Sequence, residues 1–215
     1  MKIIYQDKDL LVIDKPTGWT IKKIEEKLPD NGLLRKGIVH RLDKETSGVL
    51  LIAKNDESLQ FFQKQFKNRR VEKSYLALVV GNIKENSGTI KTLISRNKKG
   101  IKQRAYLMQG PEKEKSGARI AETQWKIVKK YKEYTLVQAW PKTGRKHQIR
   151  VHFSYLNHPI AGDKLYSFKN QKTPEGLKRQ FLHAESLKIK MPGGETKTFY
   201  SELPKDLKQI LCQIK

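Results

Sequence analysis

The sequence predicts an α+β protein, built on a mixed, mostly antiparallel central sheet with a few flanking helices. Two observations carry this. Short β-like runs follow one another without the regular strand–helix alternation of a doubly wound parallel sheet. Only a few segments place apolar residues at helical spacing.

Taken in order, "IIYQ" and "LLVIDK" read as two short strands, the second ended by the turn residues Pro16 and Gly18. "IKKIEEKL" (21–28) reads as a short helix stopped by Pro29. "GVLLIAK" is apolar on both faces, which places it in the middle of a sheet. "NDESLQFFQKQFKNRR" sets Leu59, Phe62 and Phe66 at helical spacing, with acidic residues in its first turn and basic ones at its end, as the helix dipole favours. "SYLALVVG", "GTIKTLIS", "QRAYLM", "RIAETQWKIVKK" and "EYTLVQAW" follow as strands, and "PEKEKSG" (111–117) is the best candidate for a mobile loop tip. "HQIRVHFSYLNHP" fits two periods: Ile149, Val151 and Phe153 alternate, while Ile149, Phe153 and Leu156 share a helix face. Its length and the stop signals Asn157 and Pro159 favour a helix. "PKDLKQILCQI" is a short amphipathic helix starting at Pro204.

Charge narrows the partners. The 215 residues hold 45 Lys and Arg against 22 Asp and Glu, a formal net charge of +23. Self-repulsion of this size does nothing for folding, so it points to a polyanion: nucleic acid first, an anionic membrane surface second. The plainer reading is that Lys simply fills solvated faces. The basic residues are spread along the chain and not gathered on one amphipathic helix, which weakens the membrane reading. Cys212 is the single cysteine, which excludes disulfides within the chain and Cys-based zinc sites. No apolar run approaches the ~18 residues of a membrane span. The N-terminus resembles neither a signal nor a transit peptide, so the expected compartment is the cytoplasm.

Four stretches could carry chemistry. In "GIVHRLDKETSGVLLIAK" (37–54), Asp43 lies between Arg41 and Lys44 at the entrance to the apolar strand. Neighbouring cations favour an ionised carboxylate, and a positioned Asp can act as nucleophile or base. A surface turn, with Thr46 and Ser47 bonding to local backbone, is the competing reading. In "KSYLALVVG" (73–81), Tyr75 can offer its ring to an unstacked base or simply pack in the core. "TGRKHQIRVH" (143–152) clusters Arg145, His147, Gln148, Arg150 and His152, a set suited to carboxylate or phosphate. The two histidines lack the spacing and companions of a metal site, so no metal is expected. The basic runs "KNRRVEK" (67–73), "RNKKGIKQR" (96–104) and "KIVKKYK" (126–132) could paint a sheet face and its rim positive for a phosphate backbone. Candidate backbone contacts are Lys44, Arg69, Arg70, Lys73, Arg145 and His147. Gly-rich phosphate loops are missing from the sequence, so no nucleotide or flavin cofactor is expected.

"HRLDKETSGVLLIAK", "KSYLALVVG", "TGRKHQIRVH" and "HPIAGDKLY" (158–166) resemble, in that order, the motifs of the RluA-type RNA pseudouridine synthases. "DLLVIDKPTGW" (9–19) is similar to the family's opening strand and Lys-Pro turn, and "FLHAESLKIKMP" (181–192) to its late strand. The resemblance implies the pseudouridine synthase fold, with an active-site cleft across the sheet. It makes Asp43 the catalytic aspartate, Arg41 the arginine that enters where the flipped nucleotide was, Tyr75 the ring against the uracil, Arg150 the partner of the aspartate and Ile149 an apolar contact beside the base. It implies a single catalytic domain over residues 1–215, without the small N-terminal RNA-binding module that many relatives carry. It also implies RNA, ribosomal or transfer, as partner and no cofactor; a monomer is expected, although the sequence does not itself decide the oligomeric state. The stretch from Thr20 to Lys36 is shorter and richer in Lys and Glu than the family's usual approach to "HRLD". A basic RNA-binding or ribosome-assembly protein without catalysis is the alternative; it has no need for a carboxylate among cations.

Overall fold

The structure is a computed structural model that describes residues 1–97, 102–108 and 117–215. Residues 111–116 of the loop tip expected at 111–117, and residues 98–101 of the basic run 96–104, therefore lie outside the described residues. In chain order the strands are β1 (Lys2–Gln6), β2 (Leu10–Lys15), β3 (Ser47–Ala53), β4 (Glu72–Val80), β5 (Ser87–Arg96), β6 (Gln103–Tyr106), β7 (Arg119–Lys130), β8 (Tyr134–Pro141), β9 (Leu182–Lys190) and β10 (Thr196–Tyr200). The helices are α1 (Ile21–Glu25), α2 (Asp56–Lys67), α3 (Gln148–Tyr155) and α4 (Lys205–Gln213). This is the mixed α+β class, with mostly antiparallel strands. The residues group into two compact units, one of Met1–Ser74 with His183–Pro204 and one of Tyr75–Leu182 with Lys205–Lys215.

In the first unit the strand order is β1-β2-β3-β9-β10. Every residue of β3 is buried, as its unbroken apolar text requires of a central strand. Leu10, Val12, Val49 and Leu51 form a core with Leu59 and Phe62 of α2 and with Leu187, Ile189 and Phe199. Each such side chain contributes about 1.5–3 kcal/mol of burial. The start of α2 is set locally: the Asn55 side chain accepts from Ser58 N–H at 2.8 Å, and the Ser58 hydroxyl answers from the other side in a capping box. The parallel pairing in this unit joins β3 to β9, with Ser47 opposite His183 and Gly48 opposite Ala184. Glycine is required there. Gly48 has φ +118°, and a Cβ on it would strike the backbone of Ala184.

Three details depart from the sequence pattern. Helix α1 ends at Glu25, short of the expected 28; beyond it Lys27 N–H bonds Ile24 O, a tighter turn that the chain adopts before Pro29. Leu34–Gly37 forms an unexpected 3₁₀ turn in which Arg35 and Lys36 are left-handed, at φ 51° and 49°. Strand β10 was also not evident; it returns along β9 after the turn at Pro192, Gly193 and Gly194, whose residue types are its signal.

In the second unit the antiparallel order is β4-β8-β7-β5-β6. The ambiguous segment is a helix, α3, lying against β5 and β7. Phe153 meets Trp125 edge to face at 6.1 Å between ring centroids. The polar residues of α3 also point inward. His152 has no exposed surface; its Nδ1 lies 2.8 Å from the Thr123 hydroxyl and its Nε2 lies 3.1 Å from that of Thr92. Burial pushes its pKa from the ordinary histidine value down to about 4.

Two outcomes follow. Gly48→Ala lowers unfolding stability by at least about 2 kcal/mol in urea titrations, because strained φ and a backbone collision add. His152 stays neutral in the folded protein while the unfolded chain takes up a proton near pH 6.5. Stability is therefore complete above that pH and drains away as pH falls from about 6.5 to about 4, by on the order of 3 kcal/mol. His152→Gln, followed by urea midpoints across that window, reduces the slope.

Candidate active site

The loop carrying Arg41, Asp43 and Lys44 runs into β3 in the first unit. Arg41 and Lys44 are exposed, Asp43 is half-buried, and Leu42 between them is buried. Asp43 opens a turn whose carbonyl accepts from Thr46 N–H at 3.0 Å. Opposite lies the "KPTGW" turn at the end of β2. Lys15 has no exposed surface, and its ammonium donates to the carbonyls of Pro16 (2.9 Å), Trp19 (2.9 Å) and Lys44 (3.1 Å). Gly18 N–H also donates to Lys44 O at 2.9 Å, and the Thr17 hydroxyl reaches Glu45 O at 3.2 Å. The carbonyls of Lys44 and Glu45, the two residues after Asp43, are thus held by three groups of this turn. On the strand side, the buried Ser47 hydroxyl lies 3.0 Å from Nδ1 of buried His183, whose Nε2 is 2.9 Å from the Ser201 carbonyl. That carbonyl can only accept, so the proton sits on Nε2 and Ser47 donates to Nδ1.

His40, just before Arg41, stacks on Phe66 at 4.8 Å and accepts from Leu51 N–H through Nε2 at 3.2 Å. Burial, with the charge of Lys73 as the lesser cause, pushes its pKa down to about 3. Burial likewise brings Lys73 down to about 8, so it is a partly desolvated amine and not an ordinary surface cation. Arg69 and Arg70 lie exposed just beyond α2.

The remaining candidates lie in the second unit. Tyr75 is half-buried on β4 opposite Ala139. Thr143, Arg145, His147, Gln148, Ile149 and Arg150 cluster at the start of α3. The Gln148 carboxamide oxygen accepts from the Thr143 hydroxyl (2.6 Å) and Arg145 N–H (3.0 Å), while its nitrogen donates to Glu122 O (2.9 Å). Arg145 Nε donates to Ile120 O at 3.0 Å. His147 caps the helix at a left-handed φ of 56°. Ile149 and Arg150 are each 5% exposed.

Arg150 grips Asp163 with two parallel bonds, Nε to Oδ2 at 2.7 Å and Nη2 to Oδ1 at 2.8 Å. Asp163 Oδ1 also accepts from the backbone N–H groups of Leu165 (2.9 Å) and Tyr166 (3.2 Å). Asp163 and Tyr166 lie in "HPIAGDKLY", and Lys15 and His183 in the other matched stretches, yet none carries a local signal of its role. A lysine reads as surface until its neighbours in space are known.

A family model described as RNA pseudouridylate synthase matches residues 3–155. The chain is 36% identical to ribosomal large subunit pseudouridine synthase D of Borreliella burgdorferi, over 94% of this chain and 65% of that protein. It is 37% identical to ribosomal large subunit pseudouridine synthase C of Pasteurella multocida, over 98% and 67% respectively. The chain spans about two thirds of the length of these curated relatives. Among solved structures it is similar to human RNA pseudouridylate synthase domain containing 1, with a TM-score of 0.81 and 29% identity over 97% of this chain and 86% of the other. The structure thus has the architecture of an RNA-modifying synthase domain. The chain belongs to the RNA pseudouridylate synthase family.

The Arg150–Asp163 pair gives a stability test. Both side chains are almost fully enclosed, at 6% and 0% exposure. Asp163→Ala strands a buried cation and costs about 3–5 kcal/mol in chemical unfolding, whereas Asp163→Asn, which keeps one acceptor, falls between it and the native protein.

Proposed function

We propose that this protein converts uridine to pseudouridine in RNA, with Asp43 as its catalytic residue. Family membership, together with a half-buried Asp43 on a loop pinned at the head of a buried strand, carries the reading. The reaction breaks the bond from C1′ to N1, turns the uracil and joins C1′ to C5; C5 loses a proton and N1 gains one, so nothing enters or leaves overall. No water is activated, so the paired carboxylates of a glycosidase are not required. One carboxylate suffices, acting on the base or on the sugar.

The target nucleoside must leave its stack, at a cost of a few kcal/mol. Arg41, exposed on the Asp43 loop, takes the vacated position, and Tyr75 and Ile149 offer an aromatic and an apolar surface to the uracil. Arg150 binds substrate with its guanidinium plane fixed. Lys44, Arg69, Arg70, Arg145 and His147 contact the phosphate backbone, and Lys73 joins them as a partly desolvated amine. Large-subunit ribosomal RNA is the first substrate to test, since two relatives are named for it. The protein acts as a monomer in the cytoplasm and needs no cofactor.

Asp43→Asn abolishes pseudouridine formation in purified RNA, measured without added metal or nucleotide, and leaves RNA affinity within about threefold by filter binding. An Asn variant with full turnover would remove Asp43 from the mechanism. Mapping pseudouridine in cellular RNA of a deletion strain beside its parent identifies the site served.

A further inference from the structure

Tyr166 makes three kinds of contact around the start of α3. Its hydroxyl lies 2.9 Å from Nδ1 of His147 and accepts from Gln103 N–H at 2.9 Å. Its ring lies 5.1 Å from the guanidinium carbon of Arg150. Its own N–H donates to the Asp163 carboxylate that grips the same arginine. The ring is 8% exposed and packs with Ile94, Ala121 and Val151, so it is a rigid support.

The hydroxyl also bears on a proton. Gln103 N–H can only donate, so the phenol oxygen accepts there, and its own hydrogen is within reach of Nδ1 of His147. With the phenol as donor, the imidazole carries its proton on Nε2. The backbone of His147 is held at φ 56°, a strained conformation for a residue with a side chain that persists where the surroundings impose it. Two basic side chains, His147 at the N-cap of α3 and Arg150 in its first turn, are therefore both contacted by a single aromatic residue that the reaction itself does not use.

We propose that Tyr166 is a positioning residue for RNA: its hydroxyl fixes which nitrogen of His147 presents a proton to the backbone phosphate, and its ring sets the plane of Arg150. This rests on the reading that His147 and Arg150 contact the RNA substrate. The two parts of the side chain have separable effects. Losing the hydroxyl loosens the grip on RNA, and losing the ring also frees the plane of an arginine that binds the substrate in the proposed function.

The experiment uses the full chain with Tyr166→Phe and Tyr166→Leu, steady-state pseudouridine formation on an RNA that the native protein modifies, and ¹⁵N spectra of the histidine side chains. The His147 signals are assigned by their loss in His147→Gln. Tyr166→Phe raises KM about tenfold with kcat within about threefold, and moves the His147 nitrogens from the Nε2–H pattern towards a mixture of tautomers. Tyr166→Leu lowers kcat about 100-fold as well. A Phe variant with native KM and an unchanged His147 spectrum overturns the proposal. A Leu variant that matches Phe in kcat removes the role of the ring, and if Leu fails to fold the Phe kinetics and spectra decide. Lack of turnover in the native protein would instead defeat the proposed function, and the tautomer would still be read from the spectra.

Discussion

A lysine with no exposed surface donates to three backbone carbonyls, and one of them belongs to the residue after Asp43. A buried ammonium is costly unless its donors are satisfied. The "KPTGW" turn must therefore wrap around Lys15 and bring the Lys44 carbonyl with it. Gly18 N–H donates to the same Lys44 carbonyl, and the Thr17 hydroxyl to that of Glu45. Asp43 consequently sits on a loop held at the carbonyls of the next two residues, and not on a free surface turn. On the other side, Gly48 and Ser47 press against Ala184 and His183, so the entry to β3 is held as well.

The second unit solves a different problem, the placement of long polar side chains on a short helix. Read alone, α3 is a basic amphipathic segment. Most of its polar groups are instead turned inward and satisfied: Gln148 by Thr143 and Glu122, His152 by Thr92 and Thr123, Arg150 by Asp163. The helix therefore has little rotational freedom. Groups held before substrate arrives lose less entropy and reorganise less during reaction.

Charge works at two depths. Arg41, Lys44, Arg69 and Arg70 are exposed and can contribute to a long-range, salt-sensitive attraction for a polyanion. Lys15 and Arg150 are buried and held by hydrogen bonds at short range, Lys15 to backbone carbonyls and Arg150 to Asp163, so neither adds much to long-range attraction. Lys73 stands between these cases, half-buried, with an amine whose proton is held only to about pH 8. The net charge of +23 hides this division of labour.

Local chemistry settled much of the fold: the apolar run of β3, the helical spacing of Leu59, Phe62 and Phe66 with acidic residues in the first turn of α2, and the strand-like runs of β4 to β8 each act within a few residues of themselves. Motif likeness also located the Asp43 loop and the start of α3. Tertiary structure decided what no neighbour in sequence reveals. It buried Lys15, set Ser47 against His183 across 136 positions, gave Arg150 its grip on Asp163, and placed Tyr166 beneath two basic side chains. It also shortened α1 and added β10. The physical reason is that hydrophobic period and capping are local energies, whereas satisfaction of a buried polar group depends on whichever distant atoms the packed chain brings within about 3 Å of it.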